Sequence, residues 1–181
     1  AEEVMRYFYI TQDINLPCSI QFRDFDITSG RQFFGKEDAE KLRDTAVVYL
    51  TGDGTEARPD LIQHPVLMFS KRLQDILDAF EADLIFKDVV LIHKESLVQY
   101  RYIQVLMEEI DGVSNRSEYY PNGEVKRLVL DPKKVGNYHL FLLKGRYRKD
   151  PIVSLPLAES LLRRNVTGIC LEEVEVDGDD E

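Results

Sequence analysis

The sequence predicts an α+β fold: a mixed, mainly antiparallel sheet of short strands with two or three helices. Three observations carry that prediction. Short apolar, β-branched and aromatic runs recur along the 181 residues, separated by turn-forming residues. Two stretches opened by a serine repeat their apolar residues with a helical period. Pro121-Asn122-Gly123 lies between two strand-like runs, and Asn-Gly is the strongest short hairpin signal. The length suits one compact domain, and a hydrophobic fraction of 44% with 31% charged residues excludes disordered and fibrous classes.

Taken in order, Arg6 to Ile10 (RYFYI) reads as a first strand, and Phe22, Phe25 and Ile27 as a short second one ending in a turn at Ser29-Gly30. Lys36 to Thr45 reads as a short helix leading into a buried strand, Ala46 to Leu50. Thr51 to Pro59 (TGDGTEARP) holds two glycines, a proline and no apolar residue larger than alanine, so it is the most loop-like stretch. Ser70 is positioned as the N-cap of a helix whose Leu73, Ile76, Leu77 and Phe80 form one apolar stripe. Ile85 to Ile92 and Val98 to Ile103 follow as strands, then the hairpin of Tyr119-Tyr120 with Val125–Leu130, closed by Asp131-Pro132. Tyr138 to Leu143 is another strand. Ser154 opens a further helix, with Pro156 in its first turn, Leu157, Leu161 and Leu162 on its apolar side, and Asn165 as a left-handed stop. Ile169 to Leu171 makes the last strand.

The two serine-opened helices echo each other. Phe69, Ser70, Leu73 and Leu77 match Val153, Ser154, Leu157 and Leu161 at a constant offset of 84 residues, and Ile85 and Val90 match Ile169 and Val174. An internal repeat and a chance likeness of two capped helices both fit six matched positions.

The formal net charge of −10 is unevenly spread. Residues 1–125 carry a net −10, residues 126–171 a net +7, and residues 172–181 seven acids and no base. Mutual neutralisation across the fold accounts for this pattern, as does a functional patch. The acidic balance argues against nucleic-acid binding. From Asp177 onward the tail has too little apolar surface to fold and is expected to be disordered. The acidic start of the chain is unlike a secretory signal, no apolar run is long enough to span a bilayer, and a cytoplasmic protein is expected.

Residues able to carry chemistry are scattered. Cys18 and Cys170 have no histidine near them in sequence and read as structural thiols. His64, His93 and His139 show no metal-ligand spacing, so no metal or other cofactor is expected. Gly52-Asp53-Gly54 lacks the rest of a phosphate-binding motif, and Asp53 would repel phosphate. No catalytic residue is assigned.

Several pieces in their order carry a resemblance. They are Leu67-Met-Phe-Ser70 through Leu77 to Phe86-Lys-Asp-Val-Val90, then Tyr100-x-Tyr102 with Ile110-Asp-Gly-Val113, and Leu128-x-Leu130-Asp131. Leu140-Phe141-x-Leu143-Lys144, Pro151-Ile-Val-Ser154 and the ending Val166-Thr-Gly168-Ile169 to Val174 complete the series. This order resembles the DUF1629, or Imm11, family of bacterial immunity proteins. The resemblance spans residues 60–176, leaving 1–59 as a variable N-terminal region and 177–181 as an acidic tail. It implies a protein that binds and neutralises a cognate toxin stoichiometrically and is not an enzyme. A scaffold or regulatory module of a secretion system, or an enzyme with a dispersed site, remain the rival readings.

For the partner surface the sequence offers Asp53, Glu56 and Asp60. They lie on a loop with nothing apolar to bury, and an acidic loop can attract a toxin made basic by the need to hold nucleic acid. The expected partner is therefore a protein toxin, with no nucleic acid and no membrane.

Overall fold

The computed structural model describes residues 3–16, 20–24 and 35–178. Cys18, Phe25, Ile27 and the turn at Ser29-Gly30 lie outside them.

The fold is α+β, as the sequence predicts. The first half supplies β2 (Gln21–Asp24), β3 (Thr45–Thr51), β4 (Leu61–Ile62), β5 (Met68–Ser70), α1 (Gln74–Phe80), β6 (Ile85–His93) and β7 (Gln99–Leu106). These strands form one six-stranded sheet in the order β2-β3-β6-β7-β5-β4. The second sheet draws on both ends of the chain. β1 (Tyr7–Gln12) joins β8 (Glu109–Ile110), β11 (Val129–Leu130), β12 (Leu140–Leu143), β13 (Ile152–Ser154) and β14 (Ile169–Val176) in the order β11-β14-β1-β13-β12-β8. Between these lie the hairpin β9 (Glu118–Tyr119) and β10 (Val125–Arg127), the single helical turn α2 (Pro132–Val135), and α3 (Leu155–Arg163).

The 84-residue echo is structural. β4-β5-β7-β6-β3 and β12-β13-β1-β14-β11 share the same sequence of pairings: three antiparallel, then one parallel. The register agrees at the helix-opening serine, where Tyr102 pairs with Ser70 as Tyr7 pairs with Ser154. It slips by one residue on the other side, where Tyr102 pairs with Val89 but Tyr7 with Val174, the counterpart of Val90. In the first unit the central strand β7 follows β6; in the second, the same place is filled by β1 from the start of the chain.

The central strands β7 and β12 bury apolar residues on both faces of their sheets, alternate residues facing opposite ways. Ile103 and Val105 of β7, and Leu140 and Leu142 of β12, enter a core shared by both halves together with Leu73, Leu77, Leu157 and Leu161. Tyr100 and Tyr102 face a core belonging to the first sheet, while Phe141 and Leu143 face one belonging to the second. α1 and α3 pack on each other inside the shared core. A fully buried leucine of this kind contributes about 1.5 to 3 kcal/mol.

The structure corrects several local expectations. Lys36–Lys41 is a 3-10 helix, shorter and tighter than expected, and β3 buries only one face, leaving Val47 51% exposed. Ser70 makes no side-chain cap, because Lys71–Leu73 is a 3-10 turn that delays the α-helix to Gln74. Ile76 and Phe80 sit at the margin of the core, only partly buried. Ser154 does cap its helix, accepting from the Leu157 amide at 3.3 Å, but Leu162 points outward and is 51% exposed. Asn165 stops that helix with φ +53. The acidic end is not a free tail from Asp177: its carboxylate accepts from Ser114 Oγ at 2.7 Å and Arg116 Nη1 at 2.9 Å. Just before it, Val174 and Val176 are buried while Glu173 and Glu175 pair outward with Arg6 and Arg127.

Candidate functional site

The loop Thr51–Asp60 runs from the end of β3 across the ends of β6 and β7. Two glycines begin it in left-handed conformations, Gly52 at φ +100 and Gly54 at φ +87, and a Cβ on Gly54 would stand 3.0 Å from Val98 Cβ. The strands then hold it from below. Tyr100 donates its hydroxyl to the Gly54 carbonyl at 2.9 Å, and Tyr102 to the Pro59 carbonyl at 2.8 Å. His93, fully buried, reaches the Gly52 carbonyl from Nδ1 at 3.0 Å and the Glu56 carboxylate from Nε2 at 2.5 Å.

The three acids proposed from sequence therefore have three different fates. Asp53 is exposed, its carboxylate capping the Thr55 amide and hydroxyl at 3.1 and 2.7 Å. Those bonds, the Thr55 hydroxyl first, hold its pKa below the usual range. Glu56 turns inward, and its side chain is only 7% exposed against His93. Asp60 is buried and ties the two halves of the molecule together. It accepts from Arg72 Nε and Nη2 at 3.0 and 2.9 Å and from the Thr167 amide at 2.8 Å, while its own amide donates to the Thr167 carbonyl at 2.9 Å. Burial acts to raise its pKa. The Arg72 guanidinium, the Thr167 amide and the Ser70 hydroxyl outweigh that and leave it below its ordinary value. The expectation that this stretch cannot be buried is thus corrected. It lacks apolar side chains, but distant partners satisfy its polar ones.

A groove of about 530 Å³ opens beside the loop. Arg58, Lys71, Arg72 and Arg101 line it together with Gln99 and Tyr100, and Asp60 is the one carboxylate among its lining residues. Sequence reasoning missed these cations because they come from three separate segments of an acidic chain.

His139 Nδ1 lies 2.7 Å from Ser154 Oγ, a spacing seen in nucleophile–base pairs, but that serine is fully buried and already accepts the helix-capping bond. Cys170, expected as a buried or half-buried structural thiol within an apolar strand, is instead exposed, because its side of β14 faces outward. Among the described residues no three His, Cys, Asp or Glu side chains gather as metal ligands would.

A two-sheet α+β domain with a cross-braced loop and a groove at the junction of its halves is a scaffold suited to recognition. The sequence model of the Imm11 immunity protein family matches residues 11–176, and the chain belongs to that family. The match reaches well N-terminal of residue 60, to residue 11, and takes in the last two residues of β1, Thr11 and Gln12. No curated protein matches the chain.

Proposed function

We propose that this protein neutralises one cognate protein toxin by stoichiometric, non-catalytic binding in the cytoplasm. Membership of the immunity family over residues 11–176 carries the reading. The net charge of −10 and the exposed Asp53 favour a basic toxin, since the field of the whole molecule raises the rate of encounter with an opposite charge. Glu56 and Asp60 serve the surface indirectly, by holding the loop that presents Asp53. The test is the association rate with the toxin encoded by an adjacent gene, measured by stopped flow from low salt to 1 M. Screening shortens to about 3 Å at 1 M, so the rate should fall steeply. A rate indifferent to salt removes the basic-toxin reading.

A further inference from the structure

The groove combines an open strand edge with free positive charge. β7 is paired with β6 along its whole length, from Gln99 to Leu106. On its other side β5 covers only Tyr102 and Ile103. Residues 99–101 therefore present an unpaired edge, and these same residues line the groove. Unpaired N–H and C=O groups in an extended strand are a template for an added strand.

The charges divide into occupied and free. Arg72 is taken by Asp60, and Lys71 pairs with Asp88 at 2.6 Å. Among the described residues neither Arg58 nor Arg101 has an ion pair, and both are exposed. Arg58 lies 4.7 Å over the ring of Tyr100, on the side of the sheet to which the tyrosines point. Arg101, one residue on, projects from the opposite side. The two free cations thus flank the open edge, one on each face.

We propose that an extended segment of the toxin with two adjacent acidic residues docks as an added strand along Gln99–Arg101. This rests on the immunity reading for the identity of the partner, and on the edge and its cations for the chemistry. Successive side chains of an added strand point to opposite faces, so one acid meets Arg58 and its neighbour meets Arg101. Glu56 and Asp60 cannot compete for these arginines, being held by His93 and Arg72. The acidic field of the whole molecule governs the speed of encounter, whereas these short-range pairs govern how long the complex lasts.

The test uses the full chain and a synthetic probe, acetyl-Thr-Val-Glu-Glu-Val-Thr-amide, followed by amide NMR. Binding should shift the amides of residues 99–102, be lost when alternate peptide nitrogens are methylated, and be absent for the Lys-Lys version of the peptide. R58Q/R101Q, a variant of two exposed side chains whose fold is checked by its thermal melt, should bind the peptide about tenfold more weakly. Shifts elsewhere, equal binding of the lysine peptide, displacement by an equal concentration of inorganic phosphate, or unchanged affinity in the folded double variant would each overturn the proposal. Neutralisation of the adjacent-gene toxin is read separately. Failure of the wild type to neutralise it defeats the immunity reading alone, and full neutralisation by R58Q/R101Q defeats the assignment of the groove to the toxin. Faster release of the toxin by that variant, with its association rate preserved, is the expected result.

Discussion

Replacing Asp60 by alanine should be among the most damaging single changes to a polar side chain of this protein. The side chain is 8% exposed and joins the loop and Arg72 of the first half to the α3–β14 turn of the second. Its loss strips the Thr167 amide of a charged acceptor, worth about 1.5 to 3 kcal/mol. Arg72 is 47% exposed and can turn to water, so its share is discounted to about 0.5 to 1 kcal/mol. The expected cost is about 2 to 4 kcal/mol, against a typical domain stability of about 5 to 15 kcal/mol. Asp60→Asn, which keeps one carbonyl acceptor, should cost about half as much. Urea unfolding followed by circular dichroism and tyrosine fluorescence suits a chain with nine tyrosines and no tryptophan. The acid limb gives a second reading. A carboxylate with a depressed pKa adds stability above its unfolded value, and that contribution drains as pH falls through the lower folded value. As pH falls below about 4, the ordinary carboxylate range, the wild type should therefore lose more stability than Asp60→Asn. Asp60→Ala within 0.5 kcal/mol of wild type, or no coupling to Arg72→Ala in a double-mutant cycle, would refute the bracing role.

Other outcomes follow from the same packing. Leu77→Ala and Leu161→Ala, both in the shared core, should each cost about 2 to 5 kcal/mol in the same melts, and a neutral result for either contradicts the helix packing. Gly168→Ala should cost about 2 to 5 kcal/mol, because a Cβ there falls 2.3 Å from Pro59 Cβ at a backbone φ of +76; thermal melts check it. Asp53→Lys should leave the melt unchanged and slow toxin association, whereas Glu56→Lys should lower the melting temperature by placing a cation against buried His93.

How much of this was legible in the sequence depended on how far apart the partners lie. The helix stripe, the Asn-Gly turn and the alternating strands depend on neighbours within a few residues, and all were readable. Gly123 does occupy that turn, with φ +87. α2 was missed although Asp131-Pro132 is a cap followed by a first-turn proline, and Asp131 accepts from the Lys133 amide at 2.9 Å. The extension of β14 into the acidic run was also visible, in Val174 and Val176 alternating with Glu173 and Glu175. The fate of the loop was not. Glu56 meets a histidine 37 residues away, and Asp60 an amide 107 residues away, and no local pattern encodes such pairings. The repeat was half visible, since its second unit takes a central strand from the N-terminus and so breaks the linear order.

The central claim is neutralisation by one-to-one binding, and a titration tests it most directly. A fixed amount of the adjacent-gene toxin is mixed with increasing amounts of this protein, and the remaining toxin activity is measured together with the mass of the complex. Activity should fall in a straight line to zero at one equivalent, with both chains recovered intact in a single complex. Complete loss of toxin activity at a small fraction of an equivalent, with the toxin or its substrate chemically altered and no complex recovered, would contradict the claim and reveal an enzyme.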